Sequence, residues 1–141
     1  MLQNGNHVSG LSDDATRKLN LLRSSLDLPA SAAKGAALEL STLATRLTSA
    51  YGKGRGTLRG QPIAGTDITD EMGTNRNPAE LREMWTSWHD MVGAPMRAEY
   101  ARLVEIANEG AQELGYADVG ALWRSRYDLS PEAFVALTDQ L

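Results

Sequence analysis

Cysteine is absent from these 141 residues. Its absence excludes disulfides, thiolate metal sites and a cysteine nucleophile, and leaves the redox compartment open because cysteine-free chains occur on both sides of it. Histidine is nearly as scarce, with only His7 and His89. There is accordingly no HExxH pair of imidazoles one helical turn apart, the usual helical device for a catalytic zinc. Neither histidine sits beside the carboxylate and strained-turn nucleophile that a serine triad needs. Positive charge is not in surplus either: 14 Lys+Arg against 18 Asp+Glu leave a net charge of -4. Such a chain has no global field to attract a polyanion, so nucleic acid is not favoured as a partner. No apolar run approaches the roughly 20 residues that span a bilayer, and the opening MLQNGNHVSGLSDD has neither a basic nor an apolar signal region. The expectation is a chain without a membrane segment and, since a helical pattern breaks off at Leu141, a fragment of something longer.

What is present is helical periodicity. Ser12, Asp13 and Asp14 offer caps for a helix from Asp13 to Leu26 carrying Leu19, Leu22 and Leu26. After Pro29, the series Ala36, Leu40, Leu43, Leu47 and Ala50 lies on one face up to Tyr51. GKGRGTLRGQPIAG, from Gly52 to Gly65, reads as a loop because its glycines and proline disfavour a helix interior. Asn77 and Pro78 then supply a cap and first helical position for Leu81, Met84, Trp85, Trp88 and Val92, a helix that Gly93 is expected to end. Pro95 permits a fresh start for Tyr100, Leu103, Val104, Ala107 and Ala111, which Gly115 terminates. Asp118 caps a short turn with Leu122 and Trp123, and Ser130 and Pro131 open a last helix with Phe134, Leu137 and Leu141. With no alternating strand of useful length, the fold class is all-α.

Few residues offer chemistry. The stretch from Gly52 to Gly60, with Lys53, Arg55 and Arg59 and no acid, reads either as a cradle for a phosphate or as a solvated loop whose bases lie over acidic helices. It lacks the GKS or GKT ending of a P-loop. Trp85 and Trp88, three apart on the face of Leu81 and Val92, read either as core or as the lining of a deep cavity with His89 at its edge. Trp123 is followed by Arg124 and Arg126, and an arginine there is expected to pair with a carboxylate and hold helices in register. Glu80 and Glu83, like Asp70 and Glu71, read as exposed acids complementing a helix start. No residue is assigned a catalytic role and none a metal.

Six pieces of the chain, in order, carry a resemblance. They are DDATRKLNLLR from Asp13, LPAS from Leu28, the pair Ala50 and Tyr51, Trp85-Thr-Ser-Trp88, LVEIANEGA from Leu103, and GYADVGALWRSRY from Gly115. Together they resemble peptidyl-dipeptidase A, the angiotensin-converting-enzyme-like family of zinc metallopeptidases. The resemblance implies a hydrolase acting as a carboxypeptidase that removes dipeptides from peptide C-termini. It also implies a large, mostly helical domain around a central channel, with zinc held by an HExxH helix and a downstream glutamate, all beyond Leu141 in family order. Residues 1–141 would then be an N-terminal-half segment of the catalytic domain, with a peptide substrate and the remainder of that domain as partners. Trp85, Trp88, His89, Trp123 and Arg124 become candidates for channel lining or packing, and the segment alone is expected to be inactive.

Departures from the family pattern limit what carries over. Chloride-dependent animal members have an arginine after the second tryptophan, where this chain has His89, which puts a chloride site in question. Thr48 and Gly65 stand where prime-side acids would fall, so those substrate contacts are not transferred, and the cysteine pair of the animal loop is missing. Such changes fit a bacterial-type member, for which the resemblance implies a periplasmic, envelope or secreted location. The rival expectation is a stand-alone helical module that binds a peptide or an anion through the Trp85/Trp88 face or the basic loop.

Overall fold

Capping chemistry sets most of the helix starts. The computed structural model describes residues 10–127 and 129–140, so His7 and Leu141 lie outside the described residues. In order come α1 (Asp13–Ser24), α2 (Ala36–Lys53), strands β1 (Arg55–Leu58) and β2 (Gln61–Ala64), α3 (Gly65–Thr74), α4 (Pro78–Trp88), a π-turn (His89–Gly93), α5 (Ala94–Glu113), α6 (Val119–Arg124) and α7 (Pro131–Thr138). The side chains of Ser12, Asn77, Asp118 and Ser130 each accept a hydrogen bond from an amide in the first turn that follows, satisfying a donor that has no partner within the helix. Gly115, at φ 93°, closes α5: the Tyr116 amide reaches the Ala111 carbonyl at 3.0 Å and the Gly115 amide that of Gln112 at 2.9 Å. That is the paired bonding of a Schellman cap, whose left-handed residue glycine supplies without a steric penalty.

The chain divides into two compact units, Met1–Leu40 with Val104–Leu141, and Ser41–Leu103, so that the division falls inside α2 and inside α5. In the first unit Ala36, Leu40, Ile106, Ala107, Ala111, Val119 and Leu122 are buried. Two long-range anchors fix the segment after α1. Glu113 accepts from the Ala32 amide at 2.7 Å, and Glu109 accepts from the Ser31 hydroxyl at 3.4 Å. Between these anchors Gly110 lies against Pro29 so closely that a methyl group there would stand 2.4 Å from the Pro29 carbonyl oxygen. Leu19, Leu22 and Leu26, the expected apolar stripe of α1, are exposed.

In the second unit the buried side chains are Leu43, Leu47, Ile68, Met84, Val92 and Leu103. The segment Gly52–Gly65 departs from the expected loop. Gly52 and Lys53 complete α2, and the next residues form an antiparallel hairpin in the register Arg55–Ala64, Gly56–Ile63, Thr57–Pro62 and Leu58–Gln61. Arg59 and Gly60 form its two-residue turn with φ 54° and 71°, both in the left-handed region as a type I′ turn requires. Pro62 is tolerated because it faces Thr57 at a pair that exchanges no ladder hydrogen bonds; the Thr57 amide instead donates to the Ser87 hydroxyl at 2.8 Å. Gly56 serves close packing, since a Cβ there would lie 2.7 Å from Ile68 Cδ1.

One element was not anticipated and one expectation is corrected. Helix α3 has no side-chain cap and contains Gly65, Thr66, Gly73 and Thr74, so apart from its acids Asp70 and Glu71 little in its local sequence announces it; burial of Ile68 is what it contributes. Gly93 does not end a helix. The chain passes from α4 through the π-turn into α5, with the Ala94 amide donating to the His89 carbonyl five residues back. Pro95 explains the widening, because it brings no amide to the carbonyl four residues earlier and its ring would crowd that carbonyl in a regular α-helix.

Candidate functional site

The hairpin turn is built as an anion cradle, and its occupant belongs to the chain. The amides of Arg59 and Gly60 donate to the two carboxylate oxygens of Glu83, at 2.9 and 2.8 Å. The Arg59 guanidinium makes a two-pronged contact with Glu80, Nε to Oε1 at 2.8 Å and the second nitrogen to Oε2 at 3.0 Å. Asn75 donates to Glu80 at 2.7 Å. Glu80 and Glu83, expected as exposed helix-start acids, are therefore the clasp that binds the hairpin to α4. Of the two readings of the basic loop, the one that lays a base over an acidic helix describes Arg59. The phosphate cradle does not survive at this turn, since its amides are already taken.

The clasp makes a pH prediction. Hydrogen bonds from Arg59 and then Asn75 hold the Glu80 carboxyl down at about 2, against an ordinary 4.5. The amides of Gly60 and Arg59 lower Glu83 in the same way. A carboxylate whose folded-state value is depressed contributes stability in full above its unfolded-state value, and loses it as pH falls toward the folded one. The destabilisation caused by Glu80→Gln is thus expected to be largest near neutral pH and to shrink from pH 4.5 down to about 2. Urea midpoints of both proteins across that range measure it, and a pH-independent difference would contradict the assignment.

Above the clasp, α4 and the π-turn present an aromatic face. Trp88 is half-buried: its ring lies against Gly65, where a Cβ would meet it at 2.6 Å, and it meets Tyr51 edge to face at a centroid separation of 5.4 Å and 87°. Trp85 is 57% exposed, so the core reading of both indoles fails for this one; Met84, fully buried, takes the inward position. The Trp85 ring lies on His89 at 4.2 Å, and His89 Nδ1 is 2.7 Å from the Trp85 carbonyl. A carbonyl only accepts, so Nδ1 carries the hydrogen and the lone pair of the neutral ring is on Nε2. Trp85, Trp88 and His89 border a cavity of about 210 Å³ together with Ile68, Met72 and Met84. A second, more open groove of about 550 Å³ runs from Trp88 past Val92 and Met96 to Tyr100, with Tyr51 and Arg97 at its sides.

The π-turn aligns that groove. Side chains four apart drift by about 40° per step around a regular α-helix of 3.6 residues per turn. A turn closed by bonds to the fifth residue advances less per residue and takes back part of that drift. Trp88, Val92, Met96 and Tyr100 consequently line one stripe across what the sequence presents as a helix break.

In the first unit, Trp123 and Arg126 act on the tail of α1. The Trp123 indole nitrogen donates to the Asp27 carbonyl at 2.6 Å. Arg126, and not Arg124, is the arginine that holds the elements in register: it donates to the carbonyls of Ser24 at 2.6 Å and Leu26 at 3.1 Å, and pairs with the Asp27 carboxylate at 2.9 Å. Carbonyls at a helix C-terminus lack partners within the helix, so a guanidinium there meets both their hydrogen-bonding need and the dipole. Arg124 is exposed, with its guanidinium over Gly120 of its own helix. The signal for Arg126 was its place beside Ser125 in the same WRSR run.

Among the described residues no three His, Cys, Asp or Glu side chains converge as metal ligands, and no helix is long and apolar enough to cross a membrane.

A family model described as angiotensin-converting enzyme (Peptidase_M2) matches residues 4–141. An angiotensin-converting enzyme-like protein of Mus musculus is 37% identical over 93 residues, 64% of this chain and 13% of that protein. The angiotensin-converting enzyme of Oryctolagus cuniculus is 42% identical over 62 residues, and that of Mesocricetus auratus 39% over 62 residues, in each case 44% of this chain and 5% of the relative. The matched stretch is thus a small part of the length of these relatives.

Proposed function

We propose, since this chain belongs to the angiotensin-converting enzyme family, that it is part of a zinc-dependent metallopeptidase that releases dipeptides from the C-termini of peptides. In this reading residues 1–141 supply channel wall and helical packing, while the zinc ligands, an HExxH helix and a later glutamate, lie in other parts of the protein. The observation that carries it is the family match over residues 4–141, which contains no ligand set of its own among the described residues. The aromatic face of Trp85, Trp88 and His89 is where this segment would border the channel, with Trp123 as a packing residue on the tail of α1. With His89 in place of an arginine, a chloride held as in the animal members would lack that guanidinium, so no chloride is part of this reading. A periplasmic, envelope or secreted location belongs to the same proposal.

Zinc, when bound, would polarise the scissile carbonyl and activate water. The task of these 141 residues is to hold the wall in place. Expression of the complete reading frame tests the proposal: the purified protein is expected to release dipeptides from a model peptide, to stop on chelation and to recover with zinc. The 141 residues by themselves are expected to release none. A reading frame without HExxH, or dipeptide release that is indifferent to chelator, would sink the zinc assignment.

A further inference from the structure

In the first unit a polar pocket of about 610 Å³ opens between α1 and the residues Tyr116 and Ser125. Its walls are tied in place. Arg126 holds the Ser24 carbonyl at 2.6 Å, and the cap that ends α5 fixes Tyr116 through its amide, 3.0 Å from the Ala111 carbonyl. Ser24 and Ser125 also line the pocket, but their hydroxyls donate to the Leu21 and Leu122 carbonyls three residues back, which leaves recognition to Asp13, Arg17, Asn20 and the half-buried Tyr116. Among the described residues, the side chains of these four make no hydrogen bond or ion pair.

Two opposite charges decide what the pocket can hold. Asp13 and Arg17 are one turn apart on α1, the spacing at which Asp14 and Lys18 of the same helix close an ion pair at 2.6 Å, yet among the described residues no ion pair joins Asp13 to Arg17. Both charges are left to the pocket, on side chains that start about 5–6 Å apart. A simple anion would meet the Asp13 carboxylate at the same mouth, whereas a ligand with an ammonium at one end and a carboxylate at the other answers both groups. Backbone length sets its size: two residues span at most about 7 Å, and a free amino acid about half of that. The peptide group between them has one donor and one acceptor, and the Asn20 side-chain amide offers both in return. Arg17 suits the carboxylate, to which a guanidinium makes two parallel bonds.

We infer that this pocket binds a free dipeptide, with the ammonium on Asp13, the carboxylate on Arg17 and the peptide group on Asn20. The inference rests on the reading that the whole protein releases dipeptides, which makes the pocket a second place of contact for its own product.

The test uses the full-length protein with Tyr116→3-fluorotyrosine, whose fluorine resonance reports on this pocket and not on a catalytic centre elsewhere. Titration with alanyl-phenylalanine is expected to give a saturable shift that is the same after chelation of zinc. Arg17→Gln is expected to weaken binding by about tenfold or more and to abolish the preference for the dipeptide over its C-terminal amide. Asp13→Asn is expected to weaken it likewise and to abolish the preference over the N-acetylated dipeptide. A merely structural role for either residue would leave those preferences intact. No saturable shift up to about 10 mM dipeptide, a range that reaches even weak binding, would overturn the inference. So would a shift matched by inorganic phosphate, by free phenylalanine or by the blocked dipeptides. The fluorine readout needs no turnover. A full-length protein that is inert as a peptidase but shows the expected shift would refute the peptidase reading and leave the pocket standing, while dipeptide release without the shift would do the reverse.

Discussion

Met84→Ala is expected to destabilise the protein by about 2–5 kcal/mol, the range for truncating a fully buried large side chain. Met84 has no exposed surface and, with Ile68 of α3 and the half-buried Trp88, lines the cavity of about 210 Å³. Its removal would enlarge an existing void, and a wall already lacking atoms on one side has little with which to collapse inward. The high end of the range follows. Met84→Leu keeps the volume nearly constant and is expected to cost less than about 1.5 kcal/mol. Chemical denaturation of the full-length variants measures the difference; similar midpoints for Met84→Ala and Met84→Leu would show that the cavity relaxes freely.

Gly110→Ala is the second large effect, and it arises by the opposite route. A single methyl group there would meet the Pro29 carbonyl oxygen at 2.4 Å and the carbon of that carbonyl at 2.6 Å. These are backbone atoms of the proline itself, and the residues that follow are held by the Ser31 and Ala32 contacts to Glu109 and Glu113. No rotamer change relieves the clash, so the cost is expected at or above the upper part of the roughly 1–3 kcal/mol typical of overpacking. Gly73→Ala is the control. Its site in α3 is open, with no neighbour within 4 Å of the added carbon, and the change is expected to be neutral or to stabilise by up to about 1 kcal/mol through helix propensity. If the two substitutions lowered the thermal midpoint equally, close approach to Pro29 would not be the reason for glycine at 110.

How far the sequence could be read depended on whether a residue's role was local. Caps are local, and Ser12, Asn77, Asp118, Ser130 and Gly115 all act where pattern alone placed them. The resemblance, carried by ordered pieces from Asp13 to Tyr127, named the family correctly. The hairpin was not local. Its glycines and proline argued for a loop because propensity counts them as breakers, whereas Gly56 answers to Ile68, and Pro62 falls at a pair where no amide is wanted. Helix α3 has no cap to announce it and forms because Ile68 is buried. The same reasoning covers Glu80 and Glu83. Three apart at a helix start, they look like dipole complements until the turn at Arg59 and Gly60, more than 20 residues earlier, is placed beside them. At the candidate site, periodicity could put Trp85 and Trp88 on neighbouring positions, but it could not say that Met84 would take the interior and leave Trp85 outside.

The Glu83 clasp also constrains how this stretch can vary in length. Two adjacent amides must reach two oxygens of one carboxylate, so an insertion or deletion at Arg59–Gly60 would separate donors from acceptor and strand both. Homologous chains should therefore keep the tip of the hairpin at fixed size, and a circular permutant opened between Arg59 and Gly60 should fail where one opened at Gly73 succeeds.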